Sequence, residues 1–456
     1  MSFLKKIFTE DSSNGFIWNA IGGSLFAGQS VILLFLCARF YDQETAGVVS
    51  ISYAVANLIY MIALYGVRNF QVTDTKETYR FTDYLVLRAL SILFAVAILL
   101  SYMVLMYKYN GYSGHKCAVV IAMTVLKMVN AAEDVIVGRL QQRGFFVVGA
   151  RMGAVREFIM LTAVCILICM KFDIVAALIC GTVISLVMEL FLVSKSRNYL
   201  RSDMQDTGAP DVADVYAHDM DKAGMIITGG DTLSGRAGFD RARLLGLLRS
   251  CTPLCVSTVL AIYLSNIPKY VTDWYLDEIT QAIVGYLILP VFTIALLNQF
   301  IYTPFIKGLG DLWNAGNRRG FINRVALQSV VIISSAGIIL LISYWIGIPL
   351  LSKVYNIDLR PYMKEFVLLL VGGGLYALEY YLIIPVTVMH EQVKIALSYM
   401  AAIVMSLAVQ KSLVAGFGLT GVGVLYILVN LIITVLLVFV ICKKYRSVSA
   451  EEQVDG

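Results

Sequence analysis

The sequence predicts an all-α polytopic membrane protein of about twelve transmembrane helices, arranged as two six-helix bundles with a pseudo-two-fold relation. Three observations carry this prediction. The composition is 59% hydrophobic and 15% charged with a mean hydropathy of +0.77 over 456 residues, far from the range of soluble domains. Apolar runs recur at lengths near the roughly 20 residues a helix needs to cross a bilayer core. One long hydrophilic segment divides those runs six and six.

In chain order the runs fall near 16–40, 45–66, 83–107, 117–136, 148–170 and 173–194, then near 250–270, 281–303, 324–350, 364–388, 393–411 and 417–441. The expected organisation is a bundle over 1–195, a cytoplasmic linker over 196–248, a second bundle over 249–442 and a cytoplasmic tail over 443–456. The opening MSFLKKIFTEDSSNG is charged and polar without a small-residue cleavage site, so the first span is expected to be retained. Lys and Arg fall 23 on one side of the spans and nine on the other. The cation-rich side is cytoplasmic, which puts both termini in the cytoplasm of a multi-pass protein of the cell membrane. The same asymmetry accounts for the net charge of +5. No basic block with interleaved aromatics appears, so nucleic acid is not an expected partner, whereas membrane lipid is.

The linker centre, SDMQDTGAPDVADVYAHDMDKAGMIITGGDTLSGRAGFD, is rich in Asp and Gly and reads as a tether. Its end, RARLLGLLRS, reads as an amphipathic cationic stretch lying on the inner membrane surface. Prolines are absent from residues 1–209, and Pro253, Pro268, Pro290, Pro304, Pro349, Pro361 and Pro385 all lie in the second half. Proline bends membrane helices and frees a carbonyl, so the flexible helices are expected there, with Pro268 as a hinge.

Ionisable groups inside spans cost about 2.5–3.5 kcal/mol each on insertion scales and face a partner or a cavity. Lys127, Asn130, Glu133, Asp134, Arg151, Arg156 and Glu157 form a first set on the fourth and fifth spans. Depth matching across a turn near 143 sets Glu133 against Arg156 and Lys127 against Glu157, either as ion pairs or as a polar cavity wall. A second set, Arg39, Arg68, Arg88 and Lys269, lies near span ends, where snorkelling competes with a substrate role. Lys269 also has Asp273 at i+4, the spacing of a helical ion pair. Glu379, in VGGGLYALEYYLIIP, is either a carboxyl satisfied by tyrosine hydroxyls or a coupling site for H+ or Na+. The eight cysteines lie mostly in apolar runs with no histidine beside the 165/169 and 251/255 pairs, and read as buried thiols rather than metal ligands or disulfides. His115, His218 and His390 are scattered, and no P-loop, HExxH or GxSxG occurs. No catalytic residue, metal or cofactor is expected, and the chain does not read as an enzyme.

Three stretches, ARFYDQETAGVVSISYAVANLIYMIALYGVRNFQVTD (38–74), YRFTDYLVLRAL (79–90) and NIPKYVTDWYLDEITQAIVGYLILPVFTIALLNQFIYTPFI (266–306), resemble the polysaccharide repeat-unit flippases of the multidrug/oligosaccharidyl-lipid/polysaccharide exporter superfamily. The resemblance implies alternating access between two six-helix bundles. It also implies an oligosaccharide on a polyprenyl pyrophosphate as substrate, flipped from the cytoplasmic to the outer leaflet. On that likeness Arg39, Arg68, Arg88 and Lys269, with Asn266 beside the last, are candidates to meet the pyrophosphate. Two other readings stand beside it: a cation-coupled multidrug exporter of the same architecture, and a membrane-embedded glycan polymerase or acyltransferase.

Overall fold

The computed structural model describes residues 15–74, 78–202, 241–302 and 305–454, all of whose regular structure is helical. The centre of the expected tether lies outside these residues. The helices are α1 (Gly15–Phe40), α2 (Gln43–Leu64), α3 (Val67–Thr73), α4 (Phe81–Tyr109), α5 (Gly114–Gln142), α6 (Phe146–Cys169), α7 (Ile174–Ser202), α8 (Arg241–Ser265), α9 (Ile267–Tyr275), α10 (Glu278–Leu287), α11 (Leu289–Tyr302), α12 (Ile306–Asn314), α13 (Arg318–Ile342), α14 (Ile348–Tyr355), α15 (Met363–Val388) and α16 (Gln392–Val454). A π-turn, Ser343–Gly347, joins α13 to α14. Among the described residues nine helices are long and apolar enough to cross a membrane by length and composition. Helix α5 is not one of the nine, because Lys116, Lys127, Glu133, Asp134 and Arg139 interrupt its apolar face. The last of the nine, Gln392–Ser447, has 56 residues, and Gly418 interrupts α16 with φ 54° and ψ −131°.

Three expectations are corrected. The seventh run is not one helix to residue 270: the chain breaks at Asn266 (φ −106°, ψ 10°), and Pro268 stands in the first turn of α9. A helix does not use its first N–H groups, so proline is accommodated there rather than bending a helix interior. RARLLGLLRS does not lie apart on a membrane surface. With no breaker before the span, it runs straight into α8, and its Leu247 packs with Val67, Tyr84, Leu87, Val135 and Cys251. Of the cysteines, Cys37, Cys251 and Cys255 are buried, whereas Cys169, Cys180 and Cys442 are exposed. An apolar run in a membrane protein has a lipid-facing side as well as a buried one, and run membership alone does not say which side a thiol takes.

The chain divides into two compact units. Unit 1 comprises Met1–Gln29, Ile59–Met106 and Ile121–Cys255, and unit 2 comprises Ser30–Leu58, Tyr107–Val120 and Val256–Gly456. In unit 1 the α2–α3 break places Tyr65 (φ 48°) and Gly66 (φ 68°) in the left-handed region. The orphan carbonyl of Ala63 accepts from Arg88 Nη1 at 2.7 Å and Ser91 Oγ at 2.6 Å, so the break is pinned by α4. In unit 2 the N-terminal part of α2 packs on α10. Tyr286 donates to Gln43 Oε1 at 2.5 Å and stacks on Tyr355 with centroids 4.0 Å apart. The two backbones meet at Gly47, where an added Cβ would stand 1.8 Å from the Glu278 carbonyl oxygen. Small residues at such crossings are how membrane helices reach close packing.

Gly47→Ala is therefore expected to cost about 1–3 kcal/mol through overpacking. Gly23→Ala, where nothing lies within 4 Å, should instead gain about 0.5–1 kcal/mol of helix propensity. Thermal unfolding of the two variants in detergent checks the contrast.

Candidate functional site

The structure brings two of the expected cations together in unit 1. Arg68 on α3 and Arg88 on α4 both reach Asp134 on α5: Arg88 Nη2 lies 2.6 Å from Oδ2 and Arg68 Nη1 3.3 Å from Oδ1. Arg68 Nη2 also donates to Gln141 Oε1 at 2.9 Å. Arg88 is buried, and its charge is answered by Asp134 rather than by snorkelling to water. Just outside the spans, Asp74 accepts from the Thr78 and Tyr79 N–H groups at 2.9 and 3.1 Å and from the Tyr84 hydroxyl at 2.9 Å. Partial burial pushes its carboxyl up, but these donors outweigh that and hold it below the ordinary carboxylate range.

Deeper in unit 1, Arg156 donates to Glu133 Oε2 from Nη2 at 2.6 Å and from Nε at 3.1 Å, the pair that depth matching expects. The same guanidinium meets the Ser185 hydroxyl and lies 3.7 Å from both Glu157 and Glu189. Lys127, set against Glu157 by depth, donates to Gln29 Oε1 at 2.6 Å and stands 3.8 Å over the Phe26 ring. Sequence reasoning missed Glu189, although a single acid inside the apolar run VMEL was signal enough.

In unit 2, α9 carries Pro268, Lys269 and Asp273, with Asn266 at its head. The Asn266 amide donates to the Ile262 carbonyl and the Ser265 hydroxyl, both at 3.1 Å. Asp273 is not the partner of Lys269. Its carboxylate is 2.7 Å from Lys116 Nζ and accepts from the Tyr112 hydroxyl, while Asn110 donates to its backbone carbonyl at 3.2 Å. Lys116 also reaches Glu278 at 3.1 Å and lies over the Tyr112 ring at 4.1 Å. A lysine four residues N-terminal to an acid is the weaker orientation of a helical pair. A lysine from another helix, arriving with a tyrosine hydroxyl, displaces it. Lys269 is only 5% exposed and, among the described residues, has no hydrogen-bonding or charged partner for its ammonium. Arg39 is exposed in the last turn of α1, where a cation complements the helix C-terminus.

Glu379 on α15 is 3% exposed. The hydroxyl of Tyr399, on α16, lies beside its carboxylate, while Oε2 has no partner among the described residues. The tyrosine beside it lies on another helix and not in the stretch YALEYY around it, and no tyrosine hydroxyl satisfies Oε2 among the described residues. Asp273 and Tyr399 both show that the decisive partner of a buried group comes from a distant part of the chain.

No known family profile matches the chain, and no curated protein matches it in sequence. Its fold does have relatives among solved structures. An inward-facing multidrug resistance MATE family transporter of the MOP superfamily matches with TM-score 0.63 and 12% identity, over 94% of this chain and 96% of that one. The lipid II flippase MurJ, in an inward closed conformation, matches with TM-score 0.61 and 12% identity, over 97% and 90%. A MOP superfamily transporter from Pyrococcus furiosus, whose binding pocket is described as reversed in polarity, matches with TM-score 0.56 and 13% identity, over 95% and 94%. The chain has the fold of the MOP superfamily transporters.

Reassignment of Asp273 is open to a double-mutant cycle read by thermal unfolding. Lys116→Ala and Asp273→Ala should show an interaction energy of about 0.5–3 kcal/mol. Lys269→Ala and Asp273→Ala should be additive within error.

Proposed function

We propose that the chain flips an oligosaccharide carried on a polyprenyl pyrophosphate from the cytoplasmic to the outer leaflet of the cell membrane. It does so by alternating access between bundles 1–195 and 249–442, with both termini in the cytoplasm. The observation that carries this reading is Lys269. Among the described residues the other buried cations, Arg88, Lys116, Lys127, Arg151 and Arg156, each have a partner within the protein. A lysine buried without one is held at a cost that an incoming anion offsets. A pyrophosphate is such an anion, and a cationic drug is not. Arg39 from the first bundle and Asn266 from the second complete the approach to it, and the break at Asn266, just before Pro268, is the hinge at which α9 reorients against α8.

Glu379 is assigned to coupling. A carboxylate oxygen without a partner in an apolar setting takes up a proton or coordinates Na+, and its release drives the return step. A multidrug exporter is the second reading, favoured by the shared fold with the MATE transporter and by this same acid. A polymerase or acyltransferase is set aside because the fold relatives described above are transporters.

The test is flipping of a fluorescent polyprenyl-pyrophosphate oligosaccharide in proteoliposomes. Lys269→Arg should keep most of the rate. Lys269→Ala should lose about ten- to a hundredfold, the worth of a charge-assisted contact of about 1.5–3 kcal/mol. Glu379→Gln should remove dependence on the ion gradient. Full flipping by Lys269→Ala, or export of a cationic dye in place of the lipid, would refute the reading.

A further inference from the structure

The hairpin made by α12 and the start of α13 carries a basic face of its own. Residues 306–324 hold four cations, Lys307, Arg318, Arg319 and Arg324, and one acid, Asp311. The frame of the hairpin is well fixed. Leu309 and Trp313, one helical turn apart, bury one side of α12, and the Trp313 and Phe321 rings lie 5.0 Å apart. Asn317 caps α13 by accepting from the Gly320 N–H at 2.8 Å. Arg318 belongs to this frame, with Nη1 donating to the Trp313 carbonyl at 2.6 Å and the guanidinium 4.1 Å over the Trp313 ring. Lys307 and Arg324 do not. Both are exposed, and among the described residues neither has a carboxylate within ion-pair distance. The Arg324 guanidinium lies 4.7 Å over the ring of Phe305, the cap of α12, and Lys307 follows Phe305 by two residues in the first turn of that helix.

What surrounds these two cations is apolar and uncovered. Phe305 and Ile306 are each 38% exposed. On α13, Leu327, Val331 and Ile338 follow Arg324 at the spacing of a single helix face, and all three are exposed. From Arg324 to Ile338 this stripe runs about 21 Å at 1.5 Å per residue. One leaflet of hydrocarbon is roughly 15 Å deep, so the stripe is long enough to take an acyl chain. Cations at the head of an apolar face match the two ends of a phospholipid, its phosphate and its chains. Charge decides which phospholipid. A choline or ethanolamine headgroup brings a further positive charge beside two that lack an answer, whereas an anionic headgroup brings none. We propose that an anionic phospholipid is seated here, its phosphate between Lys307 and Arg324, its glycerol against Phe305 and Ile306, and a chain along Leu327, Val331 and Ile338. Held in this way, the lipid fixes α12, which lies between α11 and α13 in the chain. The seat is independent of which substrate the protein carries, so its failure leaves the transport reading intact.

The test uses the purified full-length protein in nanodiscs of phosphatidylcholine, with or without phosphatidylglycerol, and thermal unfolding. Phosphatidylglycerol should raise the unfolding temperature of the wild type. The double variant Lys307→Gln with Arg324→Gln changes two exposed side chains and should unfold like the wild type in phosphatidylcholine alone. It should gain little from the anionic lipid. Its affinity for phosphatidylglycerol, read by native mass spectrometry of lipid-titrated protein, should fall about thirtyfold, the effect of losing two cations at about 1 kcal/mol each near an anionic surface. A second double variant, Arg319→Gln with Lys394→Gln, removes the same charge from two exposed positions outside the seat. It should keep the wild type's gain and affinity. Equal losses in the two double variants would reduce the effect to general attraction by a basic surface and overturn the seat. No gain by the wild type would overturn it as well, and so would an equal gain from glycerol phosphate, the headgroup without its chains.

Discussion

An ionised side chain removed from water has to be answered by another charge, a dipole or a ring face, and this requirement organises the polar interior of the chain. Unit 1 meets it by sharing. Asp134 serves Arg68 and Arg88, and Arg156 stands among Glu133, Glu157 and Glu189. Unit 2 meets it with the Lys116, Asp273, Glu278 and Tyr112 cluster, in which cation, carboxylates and hydroxyl satisfy one another. Breaking one member of such a group leaves the rest buried without compensation, which costs more than the intact group contributes. Against this background Lys269, buried with no charged or hydrogen-bonding partner among the described residues, is an exception that needs a cause, and the proposed anionic substrate supplies one.

Helix α9 joins the exception to the rule. Lys269 and Asp273 are one helical turn apart on a nine-residue element, so whatever the lysine binds is mechanically tied to the cluster that Asp273 completes with Lys116. The break at Asn266 ends α8 and starts α9, with the Asn266 amide tying the two at Ile262 and Ser265, and Gly47 lets the α2 backbone meet α10 immediately beyond it. Proline in the first turn, glycine at the crossing and an amide at the break are local features of the sequence. Together they set where α9 begins and how closely the helices beside it pack.

Much of the fold was legible because the rules that govern it are one-dimensional. Apolar run length gives the helices, and rise per residue on either side of a turn puts Glu133 beside Arg156. What could not be read depends on which helices become neighbours. Asp273 has a near candidate at Lys269 and takes a distant one at Lys116. Glu379 sits among three tyrosines of its own stretch and has the Tyr399 hydroxyl of another helix beside it. Asp134 looks like one more acid on a charged helix until two arginines from elsewhere converge on it. In each case the sequence carries the residue types, and only the packing of helices selects the pairs. RARLLGLLRS failed for a different reason: its amphipathic pattern suits a membrane surface and a buried helix start equally, and continuity into α8 decides between them.

The account stands on Lys269 meeting the charged group of the substrate. A structure of the protein bound to a polyprenyl-pyrophosphate oligosaccharide tests this most directly. The expected result is a phosphate oxygen about 2.7–2.9 Å from Lys269 Nζ, the length of a charge-assisted hydrogen bond. A bound substrate whose phosphates lie elsewhere, with Lys269 still unpaired or turned to a carboxylate of the protein, would contradict it.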